Sequence, residues 1–255
     1  MGSHEDQVNR QFSAVASAYL KSSVHAQGED LAMLAQKLNG QWTSEVLDLG
    51  CGAGHLSFAV APQVRSVTAF DLSNDMLMIV AQEAKLRQLE NIKTRQGVAE
   101  KLPFSSQSFE YVCTRFSAHH WADVDRALSE MHRVVKIGGR VIIIDVISPG
   151  AALLDTHLQA MELLRDISHV RNYSWHEWSA QLSRARFHVE ANHTWKLRLE
   201  FAAWVARMQT PADRIAAIRA LLERAPREVR DYLMLEADAS FQVDAVMIEA
   251  SRGPR

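Results

Sequence analysis

A glycine-rich segment, DLGCGAG at residues 48–54, carries the sharpest chemical signal in the sequence. Glycine permits positive φ angles and lets the backbone approach a ligand closely. The segment lies between an apolar run (residues 46–49) and a helical pattern (residues 55–61), and a helix that begins there offers unpaired N–H groups. Because open α/β sheets bind ligands at the carboxyl ends of their strands, this context predicts a ligand-binding loop.

An acidic residue, Asp71, ends the next apolar run at residues 66–71. It follows Gly50 by roughly 20 residues, the spacing at which nucleotide-binding sheets place a carboxylate that accepts hydrogen bonds from ribose hydroxyls. A tight turn with a capping aspartate is the alternative reading of these residues. The loop, the acid and the flanking strands together indicate a site for a nucleotide or nucleoside.

The glycine spacing separates the candidate ligands. A dinucleotide fold needs G-x-G-x-x-G so that a helix start can hold a pyrophosphate, but here the pattern is G-x-G-x-G and His55 stands where the last glycine would be. The carboxylate of Asp48 would repel a pyrophosphate and suits a ligand that carries an amine and ribose hydroxyls. S-adenosylmethionine (SAM) is such a ligand, and an NAD-dependent oxidoreductase is the alternative that the spacing disfavours.

A histidine pair, His119 and His120, follows a further apolar run at residues 109–114. Histidine titrates near neutrality, so the pair could supply the base that a methyl acceptor needs if it must lose a proton. We expect His119 to face the acceptor and His120 to face the cofactor; hydrogen bonds to neighbouring loops are the alternative role. We expect no metal, because adjacent histidines seldom bind one ion without a third ligand nearby.

The elements that must position these residues alternate between strands and helices. The predicted strands are residues 46–49, 66–71, 91–96, 109–114 and 140–147, and the predicted helices between them are residues 55–61, 74–89 and 124–135. This alternation predicts a parallel sheet covered by helices on both faces. Another helix is expected at residues 31–38, before the first strand.

The regular alternation of strands and helices does not continue after Pro149. Helices are predicted at residues 153–168, 175–185 and 201–230, the last broken at Pro211 and Pro226, with strands at residues 187–195 and 241–248. We expect these helices to cap the ligand edge of the sheet. The prediction is one domain over residues 1–255, divided into a helical lid (1–40), a SAM-binding core (41–150), a strand with cap helices (151–235) and a final strand with the tail (236–255).

The composition excludes several classes of function. The 28 Lys and Arg residues against 30 Asp and Glu give a formal net charge of −2, which argues against nucleic acid as the partner. Cys51 and Cys113 cannot form a disulfide framework, so a cytoplasmic location is expected. No apolar run is long enough for a membrane span, so no membrane-spanning segment is expected.

The segment VLDLGCGAG (residues 46–54) resembles motif I of the class I SAM-dependent methyltransferases. The more specific resemblance is to the small-molecule branch related to ubiquinone and menaquinone biosynthesis (methyltransferase domain 11). Further matches are FDLS (70–73), ML (76–77), GVAEKLPF (97–104), FEYV (109–112), HHW (119–121) and RVVKIGG (133–139). The resemblance covers about residues 10–150. It implies a Rossmann-like, seven-stranded, mostly parallel sheet with an antiparallel last strand.

The resemblance also implies roles in SAM binding. Asp48 orients the loop and the amino group, Asp71 holds the ribose hydroxyls, and Tyr19 resembles a tyrosine that closes over the cofactor. Many relatives have an aspartate where this chain has Val98, so adenine recognition must rest on nearby backbone groups or on Glu100. The implied cofactor-binding residues are Tyr19, Asp48, Gly50, Cys51, Gly52, Gly54, Asp71, Leu72, Met76, Val98, Ala99, Glu100 and Arg115.

The segment LRDISHVRNY (residues 164–173) resembles a subset of uncharacterised bacterial members of this branch. Within it, His169, Arg171 and Tyr173 are predicted to bind a polar or anionic acceptor; capping of a surface helix is the alternative. The predicted function is methyl transfer from SAM to an O or C nucleophile of a small molecule. Alternatives are a non-catalytic SAM-binding regulator and carboxyl methylation of an acyl-carrier-bound substrate, and a homodimer stays open.

Overall fold

The computed structural model describes the backbone of residues 2–20 and 28–254, and the side chains in these ranges other than those of residues 14–20. The strands in this part of the chain are β1 (Glu45–Leu49), β2 (Ser66–Asp71), β3 (Ile92–Gln96), β4 (Phe109–Arg115), β5 (Val135–Ile147), β6 (Phe187–Leu199) and β7 (Phe241–Arg252). They form a seven-stranded sheet in the order β3-β2-β1-β4-β5-β7-β6. Strand β7 is antiparallel to both neighbours and the other pairs are parallel, which confirms the predicted sheet.

Helices cover both faces of the sheet, as predicted. They are α1 (His4–Leu20), α2 (Glu29–Lys37), α3 (His55–Val60), α4 (Asn74–Leu86), α5 (Val124–Val134), α6 (Ala152–Arg165), α7 (Trp175–Arg184), α8 (Phe201–Arg207), α9 (Ala212–Glu223) and α10 (Arg227–Tyr232). The hydroxyl of Ser73 caps α4 by accepting the N–H of Met76 at 3.3 Å. Pro211 and Pro226 stand directly before α9 and α10 and separate the predicted helical stretch. None of these described helices is both long and apolar enough to cross a membrane.

The strand order reverses at β1. Strands β2 and β3 extend to one side of β1, and β4 and β5 extend to the other, so a crevice opens between the carboxyl ends of β1 and β4. Open α/β sheets bind ligands at such a reversal. The glycine loop, Asp71 and the histidine pair follow β1, β2 and β4, and they therefore share this edge of the sheet.

Successive side chains of β1 point to opposite faces of the sheet and pack into two separate buried clusters. Leu47 and Leu49 join a buried cluster with side chains of α5 and α7, whereas Val46 joins a cluster with α2 and α3 on the opposite face. Asp48 shares the face of Val46, where it is buried against Ser57 of α3. The packing of β1 thus sets the direction in which the acid before the glycine loop points.

A separate buried cluster covers the carboxyl end of β5. It combines residues at the ligand edge of β5, β6 and β7 with side chains of α6, α8, α9 and α10. Trp204 of α8 packs edge-on against Phe241 of β7, with ring centroids 5.0 Å apart. These helices form the cap that the sequence predicts.

The first helix, α1, connects the cap to the core across the crevice. The Gln11 side chain donates to the Met208 carbonyl in the cap at 2.9 Å. On the core side, the hydroxyls of Ser13 and Ser73 are 3.0 Å apart. Because these contacts lie on both sides of the opening, α1 spans the mouth of the crevice.

The fifth strand begins earlier than predicted. The sequence predicts a helix that stops at Gly138 and Gly139 and a strand from residue 140, but β5 begins at Val135, directly after α5. Its pairing with β4 shifts register near its start. A Cβ at Gly139 would come within 2.8 Å of the Glu110 carbonyl, so Gly139 allows a close strand contact, whereas Gly138 has a φ of +76° and an added Cβ there would meet no described atom within 4 Å.

Candidate active site

The glycine loop turns sharply beneath the end of β2. The N–H groups of Gly50 and Cys51 both donate to the Phe70 carbonyl, at 2.8 and 3.0 Å. Gly50 has a φ of +71°, and an added Cβ would lie 1.9 Å from the Ser117 hydroxyl, so only glycine fits there. Gly52 has a φ of +50°, but no described atom lies within 4 Å of an added Cβ. The loop is therefore packed tightly at Gly50 and open toward the crevice at Gly52.

The carboxylate of Asp71 is fixed by two backbone groups. Its Oδ2 accepts the N–H of Gly52 and its Oδ1 accepts the N–H of Ser73, each at 2.8 Å. Burial raises the pKa of Asp71 above its usual value, against the lowering effect of these hydrogen bonds. A carboxylate has about four lone-pair sites, so Asp71 keeps the capacity to accept from two hydroxyls.

Asp48 is buried with one carboxylate oxygen unsatisfied. Its Oδ2 accepts from the Ser57 backbone at 3.0 Å and from the Ser57 hydroxyl at 2.6 Å, whereas Oδ1 has no hydrogen-bond partner among the described residues. Burial raises the pKa of Asp48 to about 7, although the Ser57 hydrogen bonds oppose the shift. A buried polar atom without a partner is costly, so the cationic group of a ligand would be favourable at Oδ1.

These acids open onto a first cavity of about 1040 Å³, part of which is open to solvent. It lies at the carboxyl ends of β1, β2 and β4, where the strand order reverses. The structure brings most of the predicted cofactor residues together in its walls. Those present are Asp48, Gly50, Cys51, Gly52, Asp71, Leu72, Met76, Val98, Ala99, Glu100 and Arg115.

The two other predicted cofactor residues are placed differently. Gly54 begins α3, and an added Cβ there would lie 2.9 Å from Phe58 and from Val80, so Gly54 allows α3 and α4 to pack closely. Tyr19 belongs to α1, but its side chain lies outside the described residues, and its contact with the cofactor stays a prediction. Sequence reasoning missed the contribution of the start of α1 to the cavity. Its wall residues are His4, Glu5, Val8 and Phe12.

A buried cation faces the carboxylates in the first cavity. Arg115, at the end of β4, forms a salt bridge with Asp30 of α2, and its Nη2 lies 3.1 Å from Oδ1. Both side chains are 5% exposed, and the guanidinium also lies 4.8 Å from the centroid of the Phe116 ring. Breaking a buried ion pair is strongly destabilising, so α2 holds this positive charge firmly at the cavity wall.

A tight turn at residues 97–101 closes another side of the first cavity. The N–H of Lys101 donates to the Val98 carbonyl at 3.2 Å, and Oε1 of Glu100 accepts the N–H of Asp123, also at 3.2 Å. Val98 carries no charge, and the anionic group nearest to it in the chain is Glu100. The turn presents a fixed carboxylate and backbone groups to the cavity.

A second cavity of about 520 Å³, also partly open to solvent, adjoins the first on the cap side. The two cavities share Phe116 and His120 as wall residues. The other walls of the second cavity come from the turn after β4, the ends of β5 and β6, the helices α6 and α8, and the segment that follows α6. They are His119, Val146, Glu162, Arg165, Asn172, Leu197, Leu199, Trp204 and Arg207.

His119 is held in the second cavity by a buried carboxylate. Its Nδ1 lies 2.6 Å from Oδ1 of Asp145, which is 1% exposed in β5. Burial lowers the pKa of His119, but the charge and hydrogen bond of Asp145 outweigh it, so the pKa lies above the usual value. Because Nδ1 donates to Asp145, Nε2 is the atom that can accept a proton from a ligand.

The pKa of His120 is shifted in the opposite direction from that of His119. Its Nδ1 donates to the Ser168 carbonyl at 3.1 Å. Burial, followed by the charge of His119, lowers the pKa of His120 to about 4, so the ring is neutral at pH 7. The edge contact with Phe12 of α1, at 4.9 Å between ring centroids, places His120 between the two cavities and beneath α1.

Three histidine rings come close together at this point. The ring centroids of His119 and His120 are 4.2 Å apart, and those of His119 and His169 are 5.7 Å apart. Within the described ranges, no group of three or more His, Cys, Asp or Glu residues is arranged to hold a metal ion. The cluster is instead organised by hydrogen bonds to carboxylate, carbonyl and amide groups.

The predicted acceptor residues do not line the second cavity among its described walls. His169 Nε2 lies 2.9 Å from the Gln159 side-chain oxygen, and burial lowers the pKa of His169 far below its usual value. Arg171 forms ion pairs with Asp155 and Glu177, and Tyr173 packs edge-on against Trp178. The structure therefore places these three side chains in supporting contacts.

Sequence reasoning missed Asn172, which lies between Arg171 and Tyr173 and does line the second cavity. The N–H groups of Val170 and Arg171 both donate to the His119 carbonyl, at 2.8 and 3.2 Å. This pairing joins the segment after α6 to the histidine pair. Burial alternates over residues 171–174, where Asn172 and Ser174 are buried and the other two are half-buried, and the residue types alone do not show this alternation.

The fold and this site define an α/β protein with a glycine loop and a strand-end acid at the reversal of strand order, and with a second cavity beside the first. Residues 47–143 match the family described as "Methyltransferase domain". The chain is 48% identical over 203 residues to the uncharacterised protein YafE of Escherichia coli (strain K12), a match that covers 80% of this chain and 98% of YafE.

A longer match is to YcgJ of Bacillus subtilis (strain 168), whose name is uncharacterised methyltransferase. It is 34% identical over 243 residues, which cover 93% of this chain and 96% of YcgJ. The crystal structure of YcgJ superposes with a TM-score of 0.86 and covers 89% of this chain and 99% of YcgJ. A demethylmenaquinone methyltransferase of Geobacillus stearothermophilus is 32% identical over 154 residues, covering 58% of this chain and 66% of its own length. This chain belongs to the family of SAM-dependent methyltransferases.

Proposed function

We propose that this enzyme transfers the methyl group of SAM to an oxygen or an activated carbon of a small molecule, and that His119 accepts the proton which the acceptor loses. The adjacency of the two cavities carries this proposal. The first combines a glycine loop with the strand-end acid Asp71, and the second contains the buried pair of His119 and Asp145. The shared walls, Phe116 and His120, keep the two binding regions in direct contact.

The residues of the first cavity fit SAM. Asp71 would hold the ribose hydroxyls, the unsatisfied Oδ1 of Asp48 would receive the amino group, and Arg115 would lie at the methionine side. Leu72 and Met76 supply apolar surface for the adenine ring. When bound, SAM supplies a methyl group on a positively charged sulfur, and the bond from that methyl to sulfur breaks as its bond to the acceptor forms.

His119 acts as the general base toward the acceptor. Its Nε2 takes the acceptor proton, and the carboxylate of Asp145 then stabilises the imidazolium through Nδ1. A positioned general base typically contributes about 10²–10⁴-fold to a reaction rate. Since His120 is neutral at pH 7, it places no second positive charge beside the one that develops on His119.

Helix α1 contributes to orientation and to the exclusion of water. The His4 ring donates to the His120 carbonyl at 2.9 Å, and Phe12 contacts the ring of His120. These contacts place α1 over the boundary between the two cavities. Holding reactants in a productive geometry is worth about 7–11 kcal/mol, and a covered boundary lets the surrounding side chains provide that alignment.

Calorimetric titration tests the cofactor assignment. We expect SAM and S-adenosylhomocysteine to bind in the micromolar range and NAD not to bind. Asp71→Ala removes a charged acceptor of two hydroxyls, worth about 1.5–3 kcal/mol for each hydrogen bond, so affinity should fall at least about 100-fold. Asp75→Ala, an exposed aspartate in α4, is the matched control and should bind normally. Tight NAD binding with no response to S-adenosylhomocysteine would overturn the assignment.

A metabolite extract incubated with methyl-labelled SAM tests the reaction. The expected result is a labelled small molecule that the His119→Gln variant forms at least about 100-fold more slowly. His176→Gln, at an exposed histidine of α7, is the control. Cofactor binding without label transfer would identify a SAM-binding regulator, and label on a carboxyl group with no effect of His119→Gln would identify carboxyl methylation.

A further inference from the structure

Asn172 is a buried amide in the wall of the second cavity. The residue is 1% exposed, and its Nδ2 has no hydrogen-bond partner among the described residues. Buried polar groups in proteins are nearly always hydrogen-bonded, and an unmet donor costs free energy. The wall therefore contains an uncharged donor that an oxygen atom of a ligand would satisfy.

Gln159 of α6 fixes the backbone from which this amide extends. The Gln159 side chain donates to the Asn172 carbonyl at 2.7 Å and accepts the Asn172 N–H at 3.0 Å. Its nitrogen also donates to the Asp155 carboxylate at 2.8 Å, within α6. Because both backbone groups of Asn172 are engaged by one side chain on a helix, the amide is held on a rigid support.

The charges around the second cavity balance when His119 is ready to accept a proton. The wall contains two guanidinium groups, Arg165 and Arg207, and the carboxylate of Glu162, which lies 3.3 Å from Arg165. His119 must be neutral to act as a base, so the Asp145 carboxylate bonded to it adds a negative charge that no proton on His119 offsets. The two guanidinium charges then face two carboxylate charges, and Arg207 also interacts with another group of the protein.

The ionisable groups next to the histidine pair add no available positive charge among the described residues. Burial lowers the pKa of both His120 and His169, so these rings are neutral at pH 7. The Asp166 carboxylate is 2% exposed, and its Oδ2 lies 3.9 Å from Nε2 of His120. Arg171 is paired with two carboxylates. These surroundings disfavour an anionic ligand at the histidine pair.

Apolar side chains complete the second cavity. Val146, Leu197 and Leu199 come from the strand ends, and the Trp204 and Phe116 rings lie in the same wall. Moving a charged group from water into such surroundings is costly unless the charge is paired, whereas burial of apolar surface is favourable. The cavity thus combines an apolar enclosure with a neutral base and an uncharged amide donor.

We infer that the methyl acceptor is an uncharged molecule that carries a hydroxyl group and, on an apolar frame, a second oxygen that accepts a hydrogen bond, as a carbonyl does. The hydroxyl faces Nε2 of His119, which removes its proton as the oxygen forms its bond to the methyl group. The carbonyl oxygen accepts a hydrogen bond from Nδ2 of Asn172. The inference rests on the proposed function and names the substrate class for the same site. Asn172 takes the role in acceptor binding that the sequence predicts for His169, Arg171 and Tyr173.

Calorimetry with the enzyme saturated with S-adenosylhomocysteine tests this inference. The probes are three sets of similar shape: hydroxyphenylacetones, the negatively charged hydroxyphenylacetates, and isobutylphenols, in which an apolar group replaces the carbonyl. The titrations are made at pH 8.5, about two units above the usual histidine pKa and below the phenol pKa of about 10. We expect at least one ketone to bind about tenfold or more tightly than the matching acid, because burial of an unpaired charge is costly.

The Asn172→Ala variant tests the second oxygen separately. It should weaken binding of that ketone about tenfold more than binding of the matching isobutylphenol, because only the ketone loses a hydrogen bond. The affinity of the variant for S-adenosylhomocysteine should stay unchanged, which also shows that it is folded. Asn192→Ala in β6 changes an exposed residue of the same type and should leave the affinities for both probes unchanged.

The outcomes separate this inference from the proposed function. The comparison of ketone with acid uses the wild-type enzyme and does not depend on any variant. The acceptor class is wrong, and the proposed function stands, if S-adenosylhomocysteine binds but no ketone binds, if the acids bind as tightly as the ketones, or if Asn172→Ala weakens ketone and isobutylphenol equally. If S-adenosylhomocysteine does not bind, the proposed function itself is wrong.

Discussion

The imidazole Nδ1 of His119 lies 2.6 Å from the carboxylate Oδ1 of Asp145. His119 belongs to the turn that follows β4, and Asp145 belongs to β5, the parallel neighbour of β4. The same Oδ1 accepts the N–H of Val146 at 2.8 Å, which fixes the carboxylate. Burial alone would lower the pKa of His119, but the charge of Asp145 reverses the direction. Asp145 thus orients His119 and makes it a stronger base.

Asp145→Asn should move the acid limb of the pH–rate profile to lower pH. Without the carboxylate, burial and the loss of charge stabilisation lower the pKa of His119, so the base is neutral at lower pH than in the wild type. The maximal rate should still fall, by about 10²-fold or more, because the imidazolium loses its counter-charge. The measurement is kcat/KM for the acceptor from pH 5 to pH 9, about 1.5–2.5 units on either side of the usual histidine pKa. Labelled SAM is kept saturating, so that the titration of Asp48 does not set the acid limb.

The exposed Asp213 of α9 provides the control for this profile. Asp213→Asn changes the same functional group at a distance from the second cavity. It should change neither the pH of the acid limb nor the maximal rate. An acid limb that stays in place in Asp145→Asn would contradict the role assigned to Asp145, whatever the maximal rate.

The affinity for S-adenosylhomocysteine should rise with pH up to about 7. Burial raises the pKa of Asp48 to about 7 in the ligand-free protein, whereas an ammonium group at Oδ1 requires the ionised carboxylate. Below pH 7, binding must therefore release a proton from Asp48. The Kd should fall by a factor approaching tenfold for each unit by which the pH is raised. Above pH 7 the carboxylate is already ionised and the slope should flatten.

Titrations of Asp48→Asn over the same pH range test the source of this slope. The variant lacks the titrating group, so its affinity should be weaker at pH 7 and its slope clearly smaller. Asp71 also has a raised pKa and contributes the slope that remains. A wild-type Kd that does not change between pH 5.5 and pH 7 (within about 1.5 units below the raised pKa) would show that Asp48 does not receive the amino group.

The first cavity could be predicted from the sequence because its residues are local to strand ends. Gly50 and Asp71 each follow a strand with a clear apolar pattern, and parallel strands bring such ends to one edge. If β1 and β2 are predicted to be parallel neighbours, their carboxyl ends lie side by side. The contact between Gly52 and Asp71 can then be predicted from the sequence. Spacing and topology were sufficient for this half of the site.

The second cavity depends on contacts that spacing does not determine. Asp145 and Asn172 reach His119 through long-range pairing of β5 and of the segment after α6. Arg207 reaches the same cavity from α8, and its placement follows from packing of the cap around Trp204. The polar pattern at residues 166–173 selected the segment that contains Asn172, but only the tertiary contacts distinguish the side chain on the cavity wall from its neighbours.

Alanine substitutions at three glycines with positive φ should separate backbone strain from ligand contact. A left-handed conformation costs a non-glycine residue about 1–2 kcal/mol, and this cost is common to Gly40 (φ +81°), Gly50 (φ +71°) and Gly52 (φ +50°). At Gly50 the new Cβ would also lie 2.6 Å from the Cβ of Ser117, so Gly50→Ala should lower the free energy of unfolding most. Urea unfolding measures this order.

Gly52→Ala should fold with a stability close to that of Gly40→Ala but lose affinity for S-adenosylhomocysteine. No described atom crowds an added Cβ at either position, but Gly52 lines the first cavity whereas Gly40 lies in the turn before β1. The methyl group at residue 52 would occupy space that the ligand needs, and we expect Kd to rise about tenfold or more, since overpacking costs about 1–3 kcal/mol. Equal affinities of the two variants, measured by calorimetry, would show that the ligand does not approach the loop at Gly52.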